Sequence, residues 1–206
     1  MTILGWGRRL GRSGNLPLGR PSVSVGYRLT SSATGQTFST TMTTNRAAII
    51  ERAYDAFRSD AAIVPPITLR GGDALDSYDS PPPYDAAIDE LTDAYLERYA
   101  FHALPFLDPP SWRHYLPRLI DYALRNIASN ASGTMAVDGL LYSLRPPDRE
   151  PPRLGSLTPE QEKVVVAMLD ELAFAEESLY QRDAMQVMEE WWVPDALYRP
   201  RPESPQ

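Results

Sequence analysis

The chain has 206 residues, a net charge of −7 and an apolar fraction of 43%, enough for one core with loose ends. It contains no cysteine, which excludes disulfides, thiolate metal sites and a cysteine nucleophile and fits a reducing cytoplasm. The acidic balance disfavours nucleic acid and anionic membranes as partners and favours cationic proteins, and the longest apolar run, Val164 to Leu169, is far too short to span a bilayer.

Residues 1–44 hold Arg8, Arg9, Arg12, Arg20 and Arg28 and no acid, so the rest of the chain is more acidic than the whole. Val23, Val25, Tyr27 and Leu29 alternate as one strand would, but no other segment alternates to pair with them. Gly5, Gly7 and Gly11 lack the spacing and the preceding strand of a dinucleotide loop, and no cofactor is expected. We read 1–44 as a flexible leader outside the domain, with Met42 opening the functional chain and Thr44 or Asn45 capping the first helix.

The expected fold is mainly α: a single compact domain of about six helices over residues 45–194, joined by proline-rich segments and followed by a proline-rich tail, 195–206. The spacing of Ile49, Ile50, Ala53, Tyr54 and Phe57 predicts a first helix over 46–58. Turn formers then dominate 59–83, a connection long enough to be a candidate functional loop. A second helix is expected over 84–101, with Ile88, Leu91, Tyr95 and Tyr99 as its buried stripe. Asp108 and Pro109 are a cap and first-turn pair. Pro117 predicts a break, with a short helix ending near Tyr115 and another over 117–128. Thr134 is expected to cap a helix ending near Leu144. Arg145, Arg149 and Arg153 fall in a proline-rich joint read as polyproline II, which would spread them around its axis. Thr158, Pro159 and Gln161 form a full capping-box signature for the next helix. A last helix, either separate or continuous with it, carries Ala175, Leu179, Met185, Met188 and Trp192 and stops at Pro194.

Several of these residues resemble a known pattern. Phe106-Leu107, Trp112, Tyr115-Leu116-Pro117, Asp138-Gly139-Leu140-Leu141, Leu144-Arg145-Pro146-Pro147 and Leu157-Thr158-Pro159-Glu160-Gln161 resemble a bacterial family of domains of unknown function. Its mark is an aromatic-Leu-Pro helix followed by a Thr-Pro-Glu-Gln helix. The resemblance covers roughly residues 45–190. It implies a small, mainly helical bacterial domain and no particular activity.

Catalytic chemistry finds little support. The two histidines, His102 and His114, lack convergent ligands at metal-site spacing, and no metal is expected. Ser111 and His114 are a nucleophile and base without the strand-turn-helix elbow that would expose the serine. The suggestive feature is acidic. Asp85, Asp89, Asp93 and Glu97 recur every four residues, which on a helix puts like charges on one face at about 0.2–0.5 kcal/mol per pair. Of the adjacent Trp191 and Trp192, only one can point inward, and Trp191 is a candidate anchor. These five residues form the candidate partner-binding set. The expected function is a non-enzymatic module that binds a basic protein, an immunity protein neutralising a toxin being its concrete form. The alternatives are a small hydrolase with a polar site in the 59–83 loop, around Asp73, Asp76 and Asp79, and a structural subunit.

Overall fold

A computed structural model describes residues 34–129, 135–148 and 150–200, with 34–44 described by backbone alone. Its elements are helices α1 (Thr34–Ala56), α2 (Arg58–Ala61), α3 (Leu69–Asp76), α4 (Asp93–Ala103), α5 (Pro109–Arg125), α6 (Met135–Ser143), α7 (Pro159–Phe174) and α8 (Gln181–Val187). Short 3-10 turns occupy Leu104–Phe106 and Leu154–Ser156, and a π-helical turn, Met188–Trp192, continues α8. The mainly helical expectation holds, and there is no strand among the described residues. The alternating segment at Val23 to Leu29 and the cap at Thr134 lie outside them.

Helix α5 links two halves. On one side it packs against α1, α2 and α7; on the other it meets α6, which lies with α3 against α4. Trp112, fully buried, donates its indole N–H to Ser143 Oγ at 3.1 Å and so pins α5 to α6. Trp192 Nε1 donates to Leu144 O at 2.9 Å, tying the C-terminal turn to the end of α6. The core runs from Ile49, Ala53 and Phe57 of α1 through Leu116, Leu119 and Ile120 to Val165, Met168 and Leu172 of α7. Helix α4 is held at its last turn by two glycines. A Cβ on Gly72 would stand 2.7 Å from Ala103 O, and one on Gly139 would stand 2.7 Å from the Phe101 Cα. Both α3 and α6 therefore approach α4 backbone to backbone.

Several boundaries differ from expectation. Helix α1 begins at Thr34, so Thr44 and Asn45 do not cap it. Asn45 Nδ2 instead donates to Glu171 Oε2 at 2.9 Å, and Arg46 Nε to Glu171 Oε1 at 2.7 Å, which fixes α1 to α7. Pro117 lies inside a continuous α5. Interior proline costs a helix roughly 3 kcal/mol, but Trp112, Tyr115, Leu116, Leu119 and Ile120 are all buried on one uninterrupted face, and that packing outweighs the lost hydrogen bond. Helix α7 begins where Thr158 predicts, with both halves of the capping box formed. The last helix is not an extension of α7. Ser178 Oγ donates to Leu172 O and Gln181 Nε2 to Ala175 O, closing a turn between them, and Leu179 and Met185 are exposed rather than buried.

Arg145 and Arg153 of the proline-rich joint are not spread into solvent around its axis; Arg149 lies outside the described residues. Asp148 accepts from the Arg153 N–H at 2.7 Å and the Gly155 N–H at 2.9 Å, folding the segment back. Arg153 is buried, and its Nη1 donates to Leu104 O at 2.6 Å. Arg145 makes two hydrogen bonds to Glu190, at 2.6 and 2.7 Å. The first part of the expected tail also has partners: Leu197 N–H donates to Glu189 O, Tyr198 N–H to Glu190 O, and Arg199 to both oxygens of Glu162.

Candidate functional site

The helix expected over 84–101 starts only at Thr92, whose hydroxyl accepts the Tyr95 N–H at 3.2 Å. The residues between α3 and α4 therefore form a loop, 77–92, and the four-residue acidic repeat does not lie on one helical face. Three prolines, Pro81 to Pro83, supply no N–H to a helical ladder. The chain instead turns around one carboxylate. Asp89 has a side-chain exposure of 0%. Its Oδ2 accepts from Arg70 Nη2 at 2.9 Å and from the Asp85 N–H at 2.8 Å; its Oδ1 accepts from Arg70 Nε at 3.1 Å and from the Tyr95 hydroxyl at 2.9 Å. Arg70 Nη2 also donates to Pro83 O at 2.9 Å. Tyr95 closes the network, its oxygen accepting the Arg70 N–H at 3.2 Å. Burial alone would push the Asp89 carboxyl up, but Arg70, the Asp85 N–H and Tyr95 more than offset it and hold it below the usual carboxylate range. Burial pushes the Tyr95 hydroxyl far up, so it stays a donor.

Nearly everything else on the loop faces solvent. Asp79, Asp85 and Glu90 are exposed, as are Tyr84 and Ile88. Asp85 Oδ1 accepts the Ala87 N–H at 2.9 Å. Tyr78 is 99% exposed and sits at φ 61°, in the left-handed region.

The other expected site residues part company with Asp85 and Asp89. Asp93 is paired across helices with Arg118 Nη2 at 2.5 Å and Arg125 Nη2 at 3.0 Å. The Arg125 hydrogen bonds are the main reason its carboxyl is held low. Glu97 caps a neighbour: its carboxylate accepts from the N–H groups of Met135 and Ala136, at 3.2 and 3.3 Å, at the start of α6. That satisfies two of the orphan donors a helix start leaves open. Trp191 is buried, like Trp192, and not an exposed anchor; it lines a cleft of about 920 Å³ together with Pro146, Pro147, Tyr198 and the Arg145–Glu190 pair.

The 59–83 segment contains most of α2 and all of α3. Asp76 lies 3.4 Å from His102 Nδ1, Asp73 is half-buried within α3 and Asp79 is exposed beyond it. Ser111 Oγ accepts the Ile67 N–H at 2.9 Å, and His114 Nδ1 lies 3.1 Å from Asp60 O. Burial pushes His114 down. Among the described residues no three His, Asp or Glu side chains converge as a metal site would require, and no helix is long and apolar enough to cross a membrane.

Sequence reasoning missed Arg70, Thr92 and Tyr95 as the loop's supports. Thr92 followed by Asp93 carried a signal, a capping threonine with an acid in the first turn. Nothing in the sequence tied Arg70 to Asp89.

A mainly helical domain with a proline-punctuated acidic loop is the class of protein this geometry defines. The chain belongs to the family of unknown function DUF6714, whose model matches residues 45–196. No curated protein and no solved structure matches it.

Proposed function

We propose that the chain is a non-enzymatic protein-binding module that docks a basic protein through its 77–92 loop. An immunity protein that neutralises a basic bacterial toxin is the concrete form. The observation that carries this reading is Asp89. A fully buried carboxylate and its arginine fix a loop that otherwise places acids and aromatics in water. Buried ion pairs add little net stability over apolar packing, so their use here favours a surface held in one shape. A preorganised loop loses less entropy on association.

The unpaired charge on the loop itself has the matching sign. Arg46, Arg70, Arg113, Arg118, Arg125 and Arg145 are engaged by carboxylates of the same chain. Asp79, Asp85 and Glu90 form no ion pair with any described residue. Such rim charges steer encounter and act mainly on the association rate.

The test uses a cationic protein captured by the full chain, identified and purified. Asp79→Lys with Asp85→Lys should slow its association about tenfold or more at low salt and flatten the salt dependence, with the Tm close to that of the wild type. An association rate indifferent to both reversals sinks the reading.

A further inference from the structure

We infer that Tyr78 is the anchor of this surface, an aromatic side chain that enters an apolar, cation-rimmed pocket of the partner protein. The inference rests on the binding role proposed for the loop. Its own ground is the mismatch between the residue and its position. Helix α3 ends in a Schellman turn: the Tyr78 N–H donates to Leu75 O at 3.1 Å and the Asp79 N–H to Ala74 O at 2.8 Å. This motif puts its C′ residue in the left-handed region, where glycine is the usual occupant because a Cβ there is sterically disfavoured. Tyr78 holds that place at φ 61°.

The side chain returns nothing to the fold. It is 99% exposed, and neither its ring nor its hydroxyl contacts another described residue through a hydrogen bond or ring interaction. A large aromatic in water, in a conformation that glycine would adopt without strain, serves no internal purpose. Tyrosine is also among the residues that carry most binding energy at interfaces, since it brings a large apolar area with few rotatable bonds. The flanking acids set the class of the pocket. Asp76 and Asp79 are both exposed beside it, so a pocket that accepts the ring meets carboxylates at its edge and needs lysine or arginine there. The backbone is firmly set, because α3 packs on α4 through Gly72 and the far end of the loop is fixed by Asp89.

The experiment has two readouts on the full chain. The first needs no partner. Tyr78→Gly relieves the left-handed strain and should raise the Tm by about 2 °C; a fall would show that the side chain supports the fold and would overturn the inference. The second replaces Tyr78 with photoreactive p-benzoylphenylalanine in a lysate of the encoding organism, with the same group at exposed Tyr142 as control. A basic protein should crosslink at 78 and not at 142. That protein, identified and purified, should bind Tyr78→Gly and Tyr78→Ala about 30-fold or more weakly, mostly through faster dissociation. Absence of a crosslink at 78 overturns the anchor. So does a partner weakened by Asp85→Lys but not by either Tyr78 change, and that result leaves the loop reading standing. A partner indifferent to all of these substitutions overturns both.

Discussion

Two connections in this molecule are built alike and held differently. The 77–92 loop and the 145–157 segment are both rich in proline, both join consecutive helices, and both turn around one aspartate. Among the described residues, Asp148 accepts only from nearby N–H groups, those of Arg153 and Gly155. It shapes its own segment. Asp89 reaches Arg70 on α3 and Tyr95 on α4 as well as the Asp85 N–H. It ties the loop to the helices on both sides. A local aspartate makes a turn, whereas a buried, charge-paired one makes the loop a fixed part of the domain.

The contrast can be broken most directly at Asp89. Asp89→Ala leaves Arg70 without its carboxylate and Tyr95 without an acceptor. It should cost about 3 kcal/mol, a fall in Tm on the order of 10 °C, and expose the loop amides to hydrogen exchange. A loss under about 1 kcal/mol by chemical denaturation would mean that the loop is not anchored through this pair.

Acid sharpens the same point. The folded-state Asp89 carboxyl is held below its ordinary value of 3.8. Its stabilisation is thus fully present above that value and is lost as the pH falls through the lower, folded value. Wild type should therefore lose stability below about pH 4 more steeply than Asp89→Asn, which lacks the contribution at every pH. Parallel denaturation midpoints for the two proteins across this range would contradict the assignment. The smallest effect belongs to Asp148→Ala, about 1 kcal/mol, with faster hydrogen exchange confined to residues 145–157. Exchange spreading into α7 would show that Asp148 also acts at long range.

The sequence made α7 legible because every part of its start is local: Thr158, Pro159 and Gln161 signal one another within a single turn. The α5 start at Asp108 and Pro109 was legible for the same reason. The start of α4 was misread because an apolar and acidic period ran on through 84–91, and the prolines before it marked the wrong boundary. What ends the loop is Thr92, and what keeps 84–91 out of the helix is the Asp89 network, whose arginine lies 19 residues away. Pro117 failed as a break because local rules price the missing N–H but not the buried face on either side. Among the candidate site residues, Asp85 remains exposed on the loop, while Asp89, Asp93 and Glu97 bind partners that folding brings from other elements. Tyr78 was invisible because its significance lies in a backbone angle.

The two glycines against α4 have a consequence for how this domain tolerates sequence change. At Gly72 and Gly139 the neighbour that an added methyl group would strike is main chain, at 2.7 Å in both cases. A side-chain neighbour can change rotamer, but a helix backbone must move as a unit, and with it α3 or α6. In a saturation library these two sites should thus reject even alanine, while Tyr78, a few residues beyond Gly72, accepts most residues other than proline and the β-branched ones when the library is sorted for folding alone. Sorted for partner capture, the same library should keep Gly72 and Gly139 and add Tyr78 to the intolerant set, separating the residues that keep the domain folded from the residue that gives it a use.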